Sequence, residues 1–136
     1  MTGRAFDPGE PITYQWAGDW LEAYSTARAS HDGDPFVDLF ADDAELRPSP
    51  FGAPMAGALA LRAYLDQCAR VESDVDLTIE RHWVSGATIL APWHMSFMRV
   101  PEHRREEEAG FLTAEIVSGR CNRLRLWVVR KDAAGG

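Results

Sequence analysis

The chain has 136 residues, 46% of them hydrophobic and 26% charged, which suits a single soluble domain and excludes a disordered chain. Fourteen basic residues against 21 acidic ones give a net charge of −7, so nucleic acids and anionic membranes are not expected as partners. No apolar run reaches the ~18 residues of a membrane span, the first residues lack a secretory core, and Cys68 and Cys121 form no C-x-x-C motif. A reduced, cytoplasmic protein is the simplest expectation.

Residues 1–11 read as a flexible arm, 12–131 as one domain and 132–136 as a tail. Thr13 can cap a helix from Tyr14 to Ser30, with Trp16, Trp20, Tyr24 and Ala27 forming one stripe. Asp34 before Pro35 opens a short helix through Phe40, and Ala44 to Arg47 reads as a strand. A Pro/Gly-rich loop from Pro48 to Gly57 precedes a helix from Ala58 to Val71, whose buried face carries Leu61, Tyr64, Leu65, Cys68 and Val71.

The period then changes to two. Val75, Leu77, Ile79 and Trp83 mark one strand, Thr88 to Val100 a second, Phe111 to Val117 a third and Arg120 to Arg130 a fourth. The charged stretch from Pro101 to Gly110 reads as a loop, with residues 104–108 as a solvated hairpin tip. Three helices followed by an antiparallel meander make an α+β order, the helices packed on one face of a curved sheet.

The segment Asp34-Pro35-Phe36-Val37-Asp38-Leu39-Phe40-Ala41-Asp42-Asp43-Ala44 resembles the hallmark corner of the nuclear-transport-factor-2-like superfamily. The SnoaL-like subgroup is the most similar, and it includes polyketide cyclases and is related to ketosteroid isomerase. The resemblance spans residues 14–130 and implies a cone-shaped fold of three helices on a strongly curved, mainly antiparallel sheet. It does not fix the function, because the superfamily hosts isomerases, cyclases, dehydratases, epoxide hydrolases and non-catalytic modules.

Matched to ketosteroid isomerase, the oxyanion-binding tyrosine falls on Tyr24. The general-base position falls on Arg47, Pro48 and Ser49, and the second oxyanion donor near Leu112 or Thr113. With no carboxylate at the base position, ketosteroid isomerisation is not expected.

The remaining chemistry is sparse. Asp42 and Asp43 occupy a corner that is structural in the family. The cluster His31-Asp32-Gly33-Asp34 lacks calcium-loop spacing, and histidines 31, 82, 94 and 103 lack zinc spacing, so no metal is expected. No phosphate loop, dinucleotide fingerprint or nucleophile motif points to a cofactor.

Tyr24 and His94 are the candidate catalytic pair, a phenolic donor facing a desolvated, neutral imidazole. Trp20, Phe40, Phe51, Tyr64, Trp83, Trp93 and Trp127 are the candidate substrate-binding walls. Which face of strands 88–100 and 120–130 lines the cavity stays open. If Trp127 faces inward, Arg125 comes with it; if His94 faces outward, His82 with Glu80 takes its role.

The expected function is cofactor-independent acid/base chemistry (cyclisation, isomerisation or dehydration) on a hydrophobic oxygenated small molecule, by a homodimer formed through the exposed sheet face. The alternatives are a non-catalytic binder of a hydrophobic ligand and a dimerisation module.

Overall fold

The computed structural model describes residues 10–131; most of the expected arm, and the tail, lie outside the described residues. Helix α1 (Tyr14–Ser30) starts where expected, with the Thr13 hydroxyl accepting from the Trp16 amide at 3.0 Å. It ends at His31 in the left-handed conformation, φ 56°, with the His31 amide donating to the Ala27 carbonyl. Its buried face runs Ala17, Trp20, Leu21, Tyr24, Ala27 and Arg28. The apolar stripe thus ends on a buried guanidinium.

Helix α2 (Gly33–Asp38) has Asp32, not Asp34, at its N-cap position, without a side-chain capping bond, and it stops before Phe40. Asp34 is instead drawn to Arg62 at 2.6 Å. The Leu39 carbonyl accepts from the Cys121 amide at 2.9 Å and from Trp20 Nε1 at 3.3 Å. Those bonds pull the chain into the sheet, so strand β1 (Phe40–Arg47) begins four residues earlier than expected. The Pro/Gly-rich segment contains a short strand, β2 (Met55–Ala56), antiparallel to β1.

Helix α3 (Ala58–Val71) matches its expected span, and β3 (Glu72–Thr78) follows directly. The strand expected through Trp83 is broken: residues 79–82 leave the ladder, and β4 (Trp83–Ser85) pairs separately with β5 (Thr88–Arg99). Strands β6 (Arg104–Val117) and β7 (Arg120–Arg130) complete a curved, unclosed sheet in the order β2-β1-β7-β6-β5-β3, with β4 beside β5. Only the β1–β7 pair is parallel among those described. Three helices on a mainly antiparallel sheet make this an α+β fold.

The segment expected to be a solvated hairpin tip is part of β6. Cross-strand ion pairs make that extension tolerable: Arg99–Glu106 at 2.9 Å, Arg130–Glu108 at 2.6 Å and Lys131–Glu107 at 3.2 Å. Hydrogen bonds from Arg99 and Arg104 hold the Glu106 carboxyl down at about 2, against its usual 4.5. A carboxylate depressed on folding contributes stability above its unfolded pKa, and that stability is lost as pH falls through the folded value. Glu106→Gln is therefore expected to flatten the decline of the urea midpoint between about pH 4.5 and 2. An unchanged acid limb would contradict the pairing.

The open question of strand faces has a clear answer. Ile89, Ala91, Trp93, Met95 and Phe97 of β5 point inward, as do Leu112, Ala114 and Ile116 of β6 and Leu124 and Leu126 of β7. With Phe36, Phe40, Leu46, Leu61 and Leu65 they form one core. His94, Arg125 and Trp127 belong to the outer face. Cys68 and Cys121 are free and buried, and no helix among the described residues is long and apolar enough to cross a membrane.

Candidate functional site

A cavity of about 230 Å³ lies between α1, α3 and the inner face of the sheet. It exceeds the roughly 150 Å³ that admits benzene, so one or two rings fit. Helix α1 contributes Tyr24 and Arg28, the turn after β1 Pro48 and Ser49, and α3 Tyr64. The sheet contributes Leu77, Trp93, Met95, Glu108, Leu126, Val128 and Arg130.

The walls are aromatic and closely supported. Trp20 stacks on Tyr24 at 5.5 Å between ring centroids and meets Phe40 edge-on at 6.1 Å. Trp93 sits across from Gly110 in the ladder. A Cβ at position 110 would lie 2.9 Å from the Trp93 ring and 1.7 Å from the Trp127 carbonyl oxygen, so glycine is required there.

The polar groups divide into two sets. In the first set the Arg28 guanidinium forms a two-armed ion pair with Glu72, and its carbon lies 5.9 Å from the Tyr64 ring centroid. His31 Nε2 lies 2.9 Å from the same Glu72 Oε1. Glu72 stands behind Arg28 and does not line the cavity. Burial pushes the Tyr24 hydroxyl up to about 12, the Arg28 charge opposing it. Burial raises Tyr64 further against the same opposition, and it raises the Cys68 thiol beside them. Both phenols are neutral donors at ordinary pH.

In the second set, Glu108 Oε2 accepts from Arg130 Nε at 2.9 Å and from an Arg130 terminal nitrogen at 2.6 Å. Glu108 Oε1 accepts nothing among the described residues. The Glu108 side chain is 11% exposed and that of Arg130 60%, so this pair marks the mouth.

Spectrophotometric titration provides a check. Tyr24 and Tyr64 are expected to resist ionisation until about pH 12 or until unfolding. Ionisation of Tyr24 or Tyr64 near pH 10 in the folded protein would contradict the burial.

The structure brings Tyr24, Tyr64 and Trp93 to the cavity and sends the other candidates elsewhere. His94 is turned out by strand parity: its side chain is 54% exposed and lies 3.7 Å from Glu107. His82 does not replace it, because its ring stacks on Tyr14 at 3.9 Å and Nε2 sits 3.0 Å from the Tyr14 carbonyl oxygen. Glu80 is exposed. Trp20 and Phe40 support the cavity from the core. Phe51 is fully exposed, Trp83 half-exposed, and Trp127 lies on the outer face.

Sequence reasoning missed Arg28, Glu72, Glu108 and Arg130. Arg28 was signalled by its place four residues after Tyr24 on the same helical face. Glu108 lies four residues before Leu112, one of the positions considered for a polar group on this strand, and therefore shares its face.

The sequence profile of the SnoaL-like domain matches residues 21–123. No curated protein matches the chain significantly. Among solved structures, the epoxide hydrolase/cyclase-like enzyme SalBIII, described in pyran ring formation in the polyether salinomycin, is similar at TM-score 0.76 and 14% identity. It covers 85% of this chain and 92% of its own. An LEH-like epoxide hydrolase of M. tuberculosis gives 0.71 and 18%, covering 85% and 84%. A protein of ketosteroid isomerase-like fold from Catenulispora acidiphila, in complex with trimethylamine, gives 0.74 and 13%, covering 80% and 84%. At these identities the likeness shows a shared fold.

Proposed function

We propose that this chain, which belongs to the SnoaL-like domain family, is a cyclase-type enzyme. It acts by acid/base chemistry on a small, hydrophobic molecule bearing a carbonyl or epoxide oxygen. One observation carries the reading: a carboxylate with a free oxygen, Glu108, converges with the neutral phenols Tyr24 and Tyr64 on one apolar-walled cavity. A hydrophobic binder needs no such convergence.

The division of labour follows from the chemistry of each group. Glu108 Oε1 takes a proton, either from the carbon beside a carbonyl or from a hydroxyl that attacks an epoxide. Tyr24 and Tyr64 donate hydrogen bonds to the oxygen that gains charge. Arg28 beside them reinforces the positive field. Both lining arginines are already paired, Arg28 with Glu72 and Arg130 with Glu108, which supports an uncharged substrate. The described resemblance to an epoxide hydrolase/cyclase-like enzyme supports ring-forming or ring-opening chemistry.

The test is a panel of one- and two-ring β-dicarbonyl compounds and hydroxy-epoxides followed by NMR in D₂O. Exchange of the acidic C–H, or ring closure, that is saturable and faster with the wild-type protein than in protein-free buffer is the expected result. Saturable binding across the panel with no turnover would overturn the reading in favour of a non-catalytic binder.

The homodimer belongs to the same proposal. Trp83, Trp127 and Val129 are 50%, 39% and 72% exposed on the outer side of the sheet, an apolar surface that a second copy would cover. Light scattering at micromolar concentration is expected to give twice the 15.1 kDa chain mass.

A further inference from the structure

One buried polar group of the cavity has no part in the reaction proposed above. Trp93 is 8% exposed and lines the cavity, yet its indole nitrogen is buried and finds no acceptor among the described residues. A buried tryptophan N–H normally has a partner, and one left without it bears the full cost of losing water. The fold holds the ring in place all the same. A Cβ at position 110 would stand 2.9 Å from Trp93 Cζ2, so the missing side chain of Gly110 makes room for the indole.

Cζ2 and Nε1 share one edge of the indole, so the edge that carries the N–H is turned toward β6. Strand β5 lies between β6 and β3, and Thr78 of β3 lines the groove on the opposite side of the ring. The N–H edge therefore turns away from that groove and toward the strand that carries Glu108. In the β5–β6 ladder Trp93 faces Gly110 and Met95 faces Glu108. Trp93 and Glu108 are thus diagonal neighbours on the inner face, and such positions lie about 7–8 Å apart, a span that one small ring bridges.

Building on the proposed acid/base reaction, we infer that the Trp93 N–H binds a second oxygen of the substrate, which is a neutral 1,3-dicarbonyl compound. Tyr24 and Tyr64 hold one carbonyl, Trp93 holds the other, and the carbon between them meets Glu108. Glu108 Oε1 takes the proton from that carbon, and the C–H electron pair spreads over both carbonyl oxygens. Each end of the enolate then has its own donor. A simple ketone offers one acceptor and leaves the indole unpaired.

Two neutral probes that cannot enolise test the inference: 2,2-dimethyl-1,3-indandione, with two carbonyls, and 2,2-dimethyl-1-indanone, with one. Binding to the ¹⁵N-labelled protein is followed at the assigned Trp93 indole N–H. The diketone is expected to bind saturably and to move that proton downfield. The monoketone, its oxygen taken by the phenols, should leave it in place. Trp93→Phe should weaken diketone binding about fivefold, the order expected of one neutral hydrogen bond, and leave monoketone binding unchanged. The wild-type shift decides the matter even where the variant is unstable.

A diketone that fails to bind overturns the inference. So does one that shifts the Met95 and Leu126 methyl resonances while the Trp93 N–H stays still, or an equal loss for both ketones in Trp93→Phe. Neither probe carries a proton for Glu108 to take, so the outcome is separate from turnover. Diketone binding at Trp93 without C–H exchange in the reaction panel would overturn the reaction and leave the dicarbonyl site standing.

Discussion

Glu108→Gln is expected to lower turnover of any substrate found in the panel by roughly 10²- to 10⁴-fold, the range typical of a positioned general base. The amide keeps the size of the side chain and can still accept from Arg130, so folding should be nearly unaffected. Loss of activity with an unchanged urea midpoint is the expected signature. The proton acceptor matters most because the rest of the cavity holds hydrogen-bond donors and apolar surface. A variant that keeps the wild-type rate on a turned-over substrate would remove Glu108 from the mechanism. Tyr24→Phe should cost less, because Tyr64 and Arg28 remain beside the same oxygen.

The largest effect on stability is expected at Glu72, which does not touch the cavity. Its carboxylate is the counter-ion of Arg28, and the two side chains are 6% and 7% exposed. Glu72→Ala leaves a buried guanidinium with no partner, and losing one member of such a pair typically costs about 3–5 kcal/mol. The pair itself contributes far less than that, because both charges had to leave water. The double replacement Arg28→Met with Glu72→Leu is therefore expected to recover most of the loss. Urea unfolding of the two variants checks both halves of the argument. A loss below about 1 kcal/mol for Glu72→Ala would mean that water reaches Arg28.

The sequence made some elements legible and hid others for identifiable reasons. Helices α1 and α3 and strand β7 begin and end where periodicity, Thr13 and the glycines at 57 and 119 put them. Those signals are local, so tertiary packing has little to add. The start of β6 was hidden because Arg104 to Glu108 carry charge at every position, which reads as a solvated loop. Their partners, Arg99, Arg130 and Lys131, lie on other strands or beyond the next hairpin, and only the folded ladder brings them together.

The candidate site suffered from that same error. With β6 shortened, Glu108 could not be placed on a sheet face, and the search for a titratable group fell on His94 instead. Strand alternation separated His94 from Trp93 correctly, but which face was concave depended on where α1 and α3 packed. Tyr24 was legible through its helical stripe and the family resemblance. Arg28, one turn later, was overlooked because a charged residue on an apolar stripe reads as the end of the stripe. Its buried partner, Glu72, is 44 residues away in sequence.

The position of a bound ligand tests the central claim most directly. A neutral bicyclic ketone, added to the protein with labelled methyl groups, should show intermolecular NOEs to Met95, Leu77, Leu126 and Val128, whose side chains line the cavity. Its carbonyl should also shift the Tyr24 ring resonances, and Tyr24→Phe should weaken its binding. NOEs instead to the His94 ring and Thr78, which line the groove on the far side of Trp93, would place the ligand outside and contradict the account.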